Sequence, residues 1–358
     1  MSHAARSMRR RAAAATVALA ALLPATAQAA SSATLEVAPV DGGPRTLVSR
    51  LVAFDTEDRP RWSADGTALT LVGTRRAGRE SGMEVLRLPA TSSPPESSTP
   101  LRTEGFDTSL SPDGTVLAEL TDSGLASGRG GVVLRDLATG AVRVAIPQWA
   151  EGDDLYEEAP TVCWSPDGRR AAVAVAERRG GSVHVLDVPS GRTLLRRSAG
   201  LGAPAGSRCF APDGRRLLLR GENRLVVVDA ESGGARTLPA WGRLIRLARW
   251  SPDGGRIAIG TDTDVAIVDA ATGWGPSHRT GSALVDVAWS PDGAALAYTL
   301  RRGDDYLGDD QQAGLFVASA DRLDAPRALV VPRVSELGGF AWSPDGTRIA
   351  FTTARYDR

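Results

Sequence analysis

The chain has 358 residues, in which 42 basic residues balance 42 acidic ones, and every basic residue is arginine. Balanced charge excludes a basic nucleic-acid binder as the default reading, two cysteines exclude a disulfide-dense scaffold, and three histidines exclude most histidine-based metal or proton-shuttle chemistry. A hydrophobic fraction of 42% is ordinary for a folded chain, and the length suits one repeat-built domain as well as two or three smaller ones.

Residues 1–29 read as a signal peptide. Arg6, Arg9, Arg10 and Arg11 make a positive start, Ala12 to Ala25 an apolar run too short to span a bilayer, and Ala27-Gln28-Ala29 a small-x-small cleavage site. Cleavage is expected after Ala29, with Ala30 as the near alternative; Arg9-Arg10 also permits a twin-arginine route, which the flanking residues fit poorly. No cysteine near the site could carry a lipid. Removing the leader leaves 38 arginines against 42 acids, net −4, and only His184 and His278. No later apolar run reaches spanning length, so the expectation is a secreted or periplasmic protein with no membrane span.

From residue 30 to residue 358 one short motif recurs. It appears as Trp62-Ser63-Ala64-Asp65-Gly66, Leu110-Ser111-Pro112-Asp113-Gly114, Trp164-Ser165-Pro166-Asp167-Gly168 and Phe210-Ala211-Pro212-Asp213-Gly214, then in full at Trp250 to Gly254, Trp289 to Gly293 and Trp342 to Gly346. The motif aspartates are 48, 54, 46, 40, 39 and 53 residues apart. Ser-Pro-Asp-Gly is a turn sequence: proline presets the second torsion, aspartate bonds neighbouring backbone, and glycine closes the turn. After each turn comes an apolar strand-like run such as Ile257 to Ile259, and in most repeats a second, such as Val183 to Val188 or Leu225 to Asp229. A shorter fourth run follows, such as Arg192 to Leu195 or Arg236 to Leu238. Four strands per repeat, A to D, with the motif at the A–B turn, predict a single all-β domain, a β-propeller of seven four-stranded blades. The seventh motif lies too close to the C-terminus for strands C and D. Ala33 to Ala38, a turn at Asp41-Gly42-Gly43 and Arg45 to Val48 are expected to supply them, closing the ring and removing its open edge.

These repeats resemble the TolB-type, WD-repeat-like propeller repeat, whose consensus centres on W-S-P-D-G followed by a strand. The resemblance covers about residues 33–358 and departs from consensus at Ala64, Leu110, Phe210 and Ala211. TolB itself carries an additional α/β domain before its propeller, for which this sequence has no room. The hydrolase domain that follows a similar propeller in prolyl-oligopeptidase-like peptidases is absent too. The resemblance implies protein–protein interaction and does not name a partner.

Sequence motifs for chemistry are lacking: no nucleophile elbow, Cys-x-x-Cys, His-Glu-x-x-His, P-loop or dinucleotide fingerprint occurs, and neither a catalytic nor a metal-ligand set is assigned. His184 alternates with apolar neighbours and reads as a packed strand residue; His278 reads as a surface loop residue. The motif acids Asp65, Asp113, Asp167, Asp213, Asp253, Asp292 and Asp345 read as structural turn residues. Cys163 and Cys209 each precede the motif aromatic, and equivalent places on successive blades argue for two buried thiols over a bridge.

Strand alternation puts A–B and C–D turns on one rim and B–C and D–A loops on the other. The irregular insertions fall on the second rim: Gln148 to Glu158 leading into blade 3, Gly303 to Asp310 within blade 6, and Trp241 in a further D–A loop. Long loops on a rigid scaffold are where binding usually resides. The candidate partner-binding residues are therefore Trp149, Glu151, Asp153, Asp154, Tyr156, Trp241, Asp304, Asp305, Tyr306, Asp309 and Asp310. Arg75, Arg76, Arg79, Arg178 and Arg179 are expected in the B–C loops of blades 1 and 3. The expected function is non-catalytic binding of a protein or peptide by an exported monomer, with no nucleic acid and no cofactor. Asp304-Asp305 with Asp309-Asp310 offers oxygen ligands of the kind Ca²⁺ takes. The alternatives are a propeller lyase, lactonase or glycan-active hydrolase with its site at the channel mouth, and a carbohydrate-binding module that stacks sugars on Trp149 and Trp241.

Overall fold

The computed structural model describes residues 32–51, 59–77, 80–91, 97–101, 107–122, 129–150, 162–175, 182–198, 203–205, 208–221, 223–239, 241–301, 312–330 and 336–355. They form seven antiparallel sheets of four strands, a seven-bladed β-propeller. Blade 1 comprises β3 (Arg61–Trp62), β4 (Ala68–Ala77), β5 (Glu80–Pro89) and β6 (Ser97–Leu101). Blade 2 comprises β7 (Asp107–Leu110), β8 (Val116–Asp122), β9 (Arg129–Asp136) and β10 (Val142–Ala150). Blade 3 comprises β11 (Val162–Trp164), β12 (Arg170–Val175), β13 (Ser182–Asp187) and β14 (Arg192–Ser198). Blade 4 comprises β15 (Ala203–Pro204), β16 (Arg216–Arg220), β17 (Leu225–Asp229) and β18 (Ala235–Thr237). Blade 5 comprises β19 (Ile245–Trp250), β20 (Arg256–Thr261), β21 (Asp264–Asp269) and β22 (Ser277–Arg279). Blade 6 comprises β23 (Leu284–Trp289), β24 (Ala295–Arg301), β25 (Gln312–Ser319) and β26 (Arg322–Val330).

The seventh blade draws on both ends of the chain. Its order is β2 (Thr46–Leu51), β1 (Ser32–Pro39), β28 (Arg348–Arg355) and β27 (Glu336–Trp342). Leu35 pairs with Thr352 and Ala38 with Ile349, in an antiparallel register that runs from Ser32–Arg355 to Pro39–Arg348. The expected closure is therefore present, and it leaves the sheet array without a free end.

Apolar clusters lie between blades and not within them. Val183, Val185 and Ala172 of blade 3 pack on Phe210, Leu217 and Val226 of blade 4. Leu247 and Val265 of blade 5 pack on Trp289 and Tyr298 of blade 6, and Leu35 and Val37 of blade 7 on Leu69 and Leu88 of blade 1. This is why the inner strands read as nearly unbroken apolar runs: both faces of each sheet are covered.

Each motif turn is fastened in the same way. The motif glycine has a positive φ in every copy, from +66° at Gly214 to +72° at Gly114, a conformation glycine adopts at little cost. The motif serine donates to the aspartate two residues on and accepts the backbone N–H that opens strand B, as Ser165 does with Asp167 and Arg170. Blade 4 carries Ala211 at the serine position, and there Asp213 Oδ1 accepts the Arg216 N–H at 3.1 Å.

The motif tryptophans also join the blades. Each indole N–H donates to the residue just before the motif in the preceding blade: Trp62 to Ala341 O at 3.1 Å, Trp164 to Ser109 Oγ at 2.9 Å, Trp250 to Cys209 O at 3.0 Å, Trp289 to Arg249 O at 3.2 Å and Trp342 to Ala288 O at 3.2 Å. Two joints lack the tryptophan and use something else. Where Leu110 replaces it, Arg61 Nη1 crosses from blade 1 to the Ser111 carbonyl at 2.6 Å. Where Phe210 replaces it, a disulfide links Cys163 to Cys209 across blades 3 and 4, with Cα atoms 5.8 Å apart.

That bridge corrects the expectation of two thiols. The inner strands of successive blades converge toward the axis, so equivalent positions come within disulfide reach. The side chain of Cys163 projects onto the backbone of Cys209, whose N–H donates to Cys163 Sγ at 2.6 Å. The cysteines need not face one another symmetrically to meet.

Candidate functional site

Of the rim residues singled out from the sequence, Glu151, Asp153, Asp154, Tyr156, Asp304, Asp305, Tyr306, Asp309 and Asp310 lie outside the described residues. Their connections fall as expected: residues 151–161 join strand D of blade 2 to strand A of blade 3, and residues 302–311 join strands B and C of blade 6. Trp149 belongs to β10, opposite Gly130, and not to the loop, because strand D runs on to Ala150. Trp241 sits in the D–A connection into blade 5, half-buried against the apolar cluster of blades 4 and 5. Arg75 and Arg76 lie in β4, which extends two residues past Arg75 before the chain turns; Arg79, Arg178 and Arg179 lie outside the described residues. His184 is buried in β13 beside Ser182, whose Oγ lies 2.8 Å from Nε2. His278 is half-buried in β22 and not in a loop. The expected leader, residues 1–29, lies outside the described residues.

The repeated motif acids are occupied. Hydrogen bonds from the Ser63 hydroxyl, and then from Thr67, hold Asp65 at about 2, against an ordinary 3.8; Asp345 is held at about 2 by Ser343 first and the Thr347 N–H second. A second set of acids fastens the C–D turns on the same rim. Asp136, Asp229 and Asp269 accept the backbone N–H of Thr139, Ser232 and Thr272 at 2.8, 2.7 and 2.8 Å. All three carboxylates lie below the usual range for that reason first. This rim is thus built from short, internally bonded turns.

A charged cluster gathers at the axis. Arg59, just before strand A of blade 1, forms an ion pair with Asp286 of β23 in blade 6, reaching past blade 7. It passes over Gly339, where a Cβ would lie 2.7 Å from the Arg59 Cα. Arg249 of β19 is buried, with Nη2 4.0 Å from Asp286 Oδ1. Its Nη1 donates to Ala205 O, and to Ala248 O at 3.1 Å. The pairing of strand A of blade 4 is irregular here: the Leu218 carbonyl accepts the Ala205 N–H at 3.0 Å, and the Leu218 N–H donates to Cys209 O at 2.8 Å. Irregular pairing of this kind re-aims side chains, and Arg208, beside it, is exposed.

Burial first, and then the neighbouring Arg59 and Arg61 guanidiniums, pull Arg208 down to about 10. Burial first, and then Arg59, pulls Arg249 down to about 9, with Asp286 opposing. Both stay protonated at neutral pH; desolvation is the larger cause of each depression and the neighbouring guanidiniums the smaller. Sequence reading missed this group. The signal was available in an alignment on the motif aromatic: the preceding residue is Arg61, Ser109, Cys163, Cys209, Arg249, Ala288 and Ala341 in blades 1 to 7. Two arginines among small residues on an inner strand stand out in that column.

No family model matches the chain, and no curated protein matches it. Solved structures match at the level of the fold. An oligogalacturonate lyase in complex with manganese is 13% identical, with a TM-score of 0.56 over 92% of this chain and 98% of that one. A chain of a mitotic checkpoint complex is 18% identical, with a TM-score of 0.54 over 90% and 95%. A putative TolB from Agrobacterium tumefaciens is 18% identical, with a TM-score of 0.45 over 91% and 98%. The ring of seven blades and its W-S-P-D-G turns agree with the TolB-like repeat resemblance. Likeness at these identities is likeness of fold, on which many functions are carried.

Proposed function

We propose that this seven-bladed propeller is an exported, non-catalytic scaffold that binds a protein or peptide on the rim of its B–C and D–A loops. The observation that carries this reading is the asymmetry of the two rims. On one, the A–B and C–D turns are short and fastened by their own Ser–Asp and Asp–Thr bonds. On the other, connections of uneven length carry the acidic segments Glu151 to Glu158 and Gly303 to Asp310, each with a tyrosine. A rigid ring with variable loops on one face is a scaffold suited to presenting a binding surface. Net negative charge after leader removal favours a cationic partner. Ca²⁺ bound by the Asp304 to Asp310 segment belongs to this proposal as an ordering ion for that loop.

The test is capture from cell-envelope extract with the mature chain as bait. A second bait carries Asp304, Asp305, Asp309 and Asp310 as Asn and Glu151, Asp153 and Asp154 as their amides. Loss of a specifically captured protein on neutralisation is the expected result. Retention of every captured protein would overturn the rim reading. Elemental analysis of the purified chain reads the calcium arm separately.

A further inference from the structure

Among the described residues the axial cluster holds more positive than negative charge. Four guanidiniums, those of Arg59, Arg61, Arg208 and Arg249, gather with the one carboxylate of Asp286 among the described residues. That carboxylate is already used: its Oδ1 accepts from Arg59 and from the Val287 N–H at 2.7 Å. Arg61 donates to the Ser111 carbonyl and is otherwise engaged, so the site does not draw on it. Arg208 has an exposed side chain and no hydrogen bond or ion pair to a described residue.

Arg249 supplies the directional element. It is 6% exposed, and its Nη1 is fixed by two backbone carbonyls. Its Nε has no hydrogen-bond partner among the described residues, and its Nη2 stands too far from Asp286 for a hydrogen bond. Nε–H and Nη2–H project side by side from one edge of a guanidinium, the edge that takes a carboxylate or phosphate with two parallel bonds. A buried donor left unmade costs about 1–3 kcal/mol, so an unpaired fork edge held in place by its other end is a site wanting a partner. Thr299, which pairs with Asp286 across β23 and β24, adds a second buried polar atom with no partner, its Oγ1.

We propose that this axial cluster binds a small multivalent oxyanion, a polycarboxylate or phosphate ester, seated on the Nε/Nη2 edge of Arg249 with Arg208 as the second cation. Arg208, beside the irregular pairing of blade 4, opens the site to solvent, and Arg59 with Asp286 closes the far side. The site uses different residues from the acidic rim and takes ligands of opposite charge. Neutralising the rim acids leaves it intact.

Calorimetric titration of pyrophosphate and of citrate into the mature chain, at low ionic strength, tests it. Saturable one-site binding with a Kd below about 1 mM is expected for at least one of them, weakening as salt is added. The tighter of the two identifies phosphate or polycarboxylate as the natural chemistry. Arg208→Gln is expected to weaken binding about tenfold by removing a cation, and Arg249→Lys about tenfold by removing the fork while keeping the charge. Arg322→Gln, on the outer strand β26, leaves binding unchanged. Should Arg249→Lys fail to fold, Arg208→Gln carries the test, since its side chain bonds no described residue. Absence of saturable binding of either anion at about 10 mM, or equal binding by the Arg208→Gln and Arg322→Gln variants, overturns the proposal.

Discussion

The indole of a motif tryptophan does two things that a phenyl ring or an aliphatic side chain does not combine. Its ring fills the space between blades, and its N–H reaches the inner strand of the blade before. Trp250 shows both: it is 7% exposed, it donates to Cys209 O, and the Arg216 guanidinium lies 4.8 Å above its ring. Arg256 over Trp289 and Arg348 over Trp62 repeat the stack at 4.9 Å. Replacing Trp250 by Ala is therefore expected to destabilise by about 3–5 kcal/mol, as the loss of a large core side chain does. Trp250→Phe keeps most of the packing and removes the donor, for about 1–2 kcal/mol. Denaturant unfolding of the two variants separates the contributions. A near-zero effect of the alanine change would place Trp250 outside the core.

At the scale of the element, a blade-to-blade joint is the unit, and the chain makes it in three ways. Blades 3 and 4 are the pair joined by the disulfide, at the joint where Phe210 offers no N–H. The bridge closes a separation of 46 residues, and a cross-link of that span contributes about 2–4 kcal/mol, chiefly by constraining the unfolded chain. Reduction, or Cys163→Ala with Cys209→Ala, is expected to lower the melting temperature with little change in the folded spectrum. Thiol labelling of the unreduced, denatured protein should find no free thiol; two labelled cysteines would remove the bridge from the account. The joints also mark where sequence reading stops. The A–B turns were legible because Ser-Pro-Asp-Gly names a local torsion pattern, and local patterns repeat in sequence as they do in space. The C–D turns, Asp136 to Gly140 and Asp269 to Gly273, follow an equally regular Asp-x-x-Thr-Gly pattern that gave only a general turn signal. The disulfide and the axial arginines depend on how closely inner strands approach the axis, and no single repeat contains that distance.

At the scale of the whole molecule, the turn aspartates sum. Asp65 and Asp345 are held at about 2, and Asp253 and Asp292 are lowered by their serine hydroxyls first, as Asp136, Asp229 and Asp269 are by backbone N–H groups. A carboxylate with a lower pKa folded than unfolded adds stability above its unfolded value, and that stability is lost as pH falls toward the folded one. The window here runs from 3.8 down to about 2. The melting temperature is expected to change little between neutrality and pH 4.5 on account of these groups, then to fall steadily below pH 4. A maximum near pH 3 would contradict the assignment of these acids to turns.

The pairing of Ser32 with Arg355 has a consequence for synthesis. Six blades are synthesised between β1 and its partner strand β28, so blade 7 stays half-made until those six have been translated. Its two early strands must be kept from other pairings through that interval. The ring is also indifferent to where its backbone is cut: with Ser32 and Arg355 linked by a short peptide, new termini opened in another blade-to-blade connection would reproduce the same closed circle.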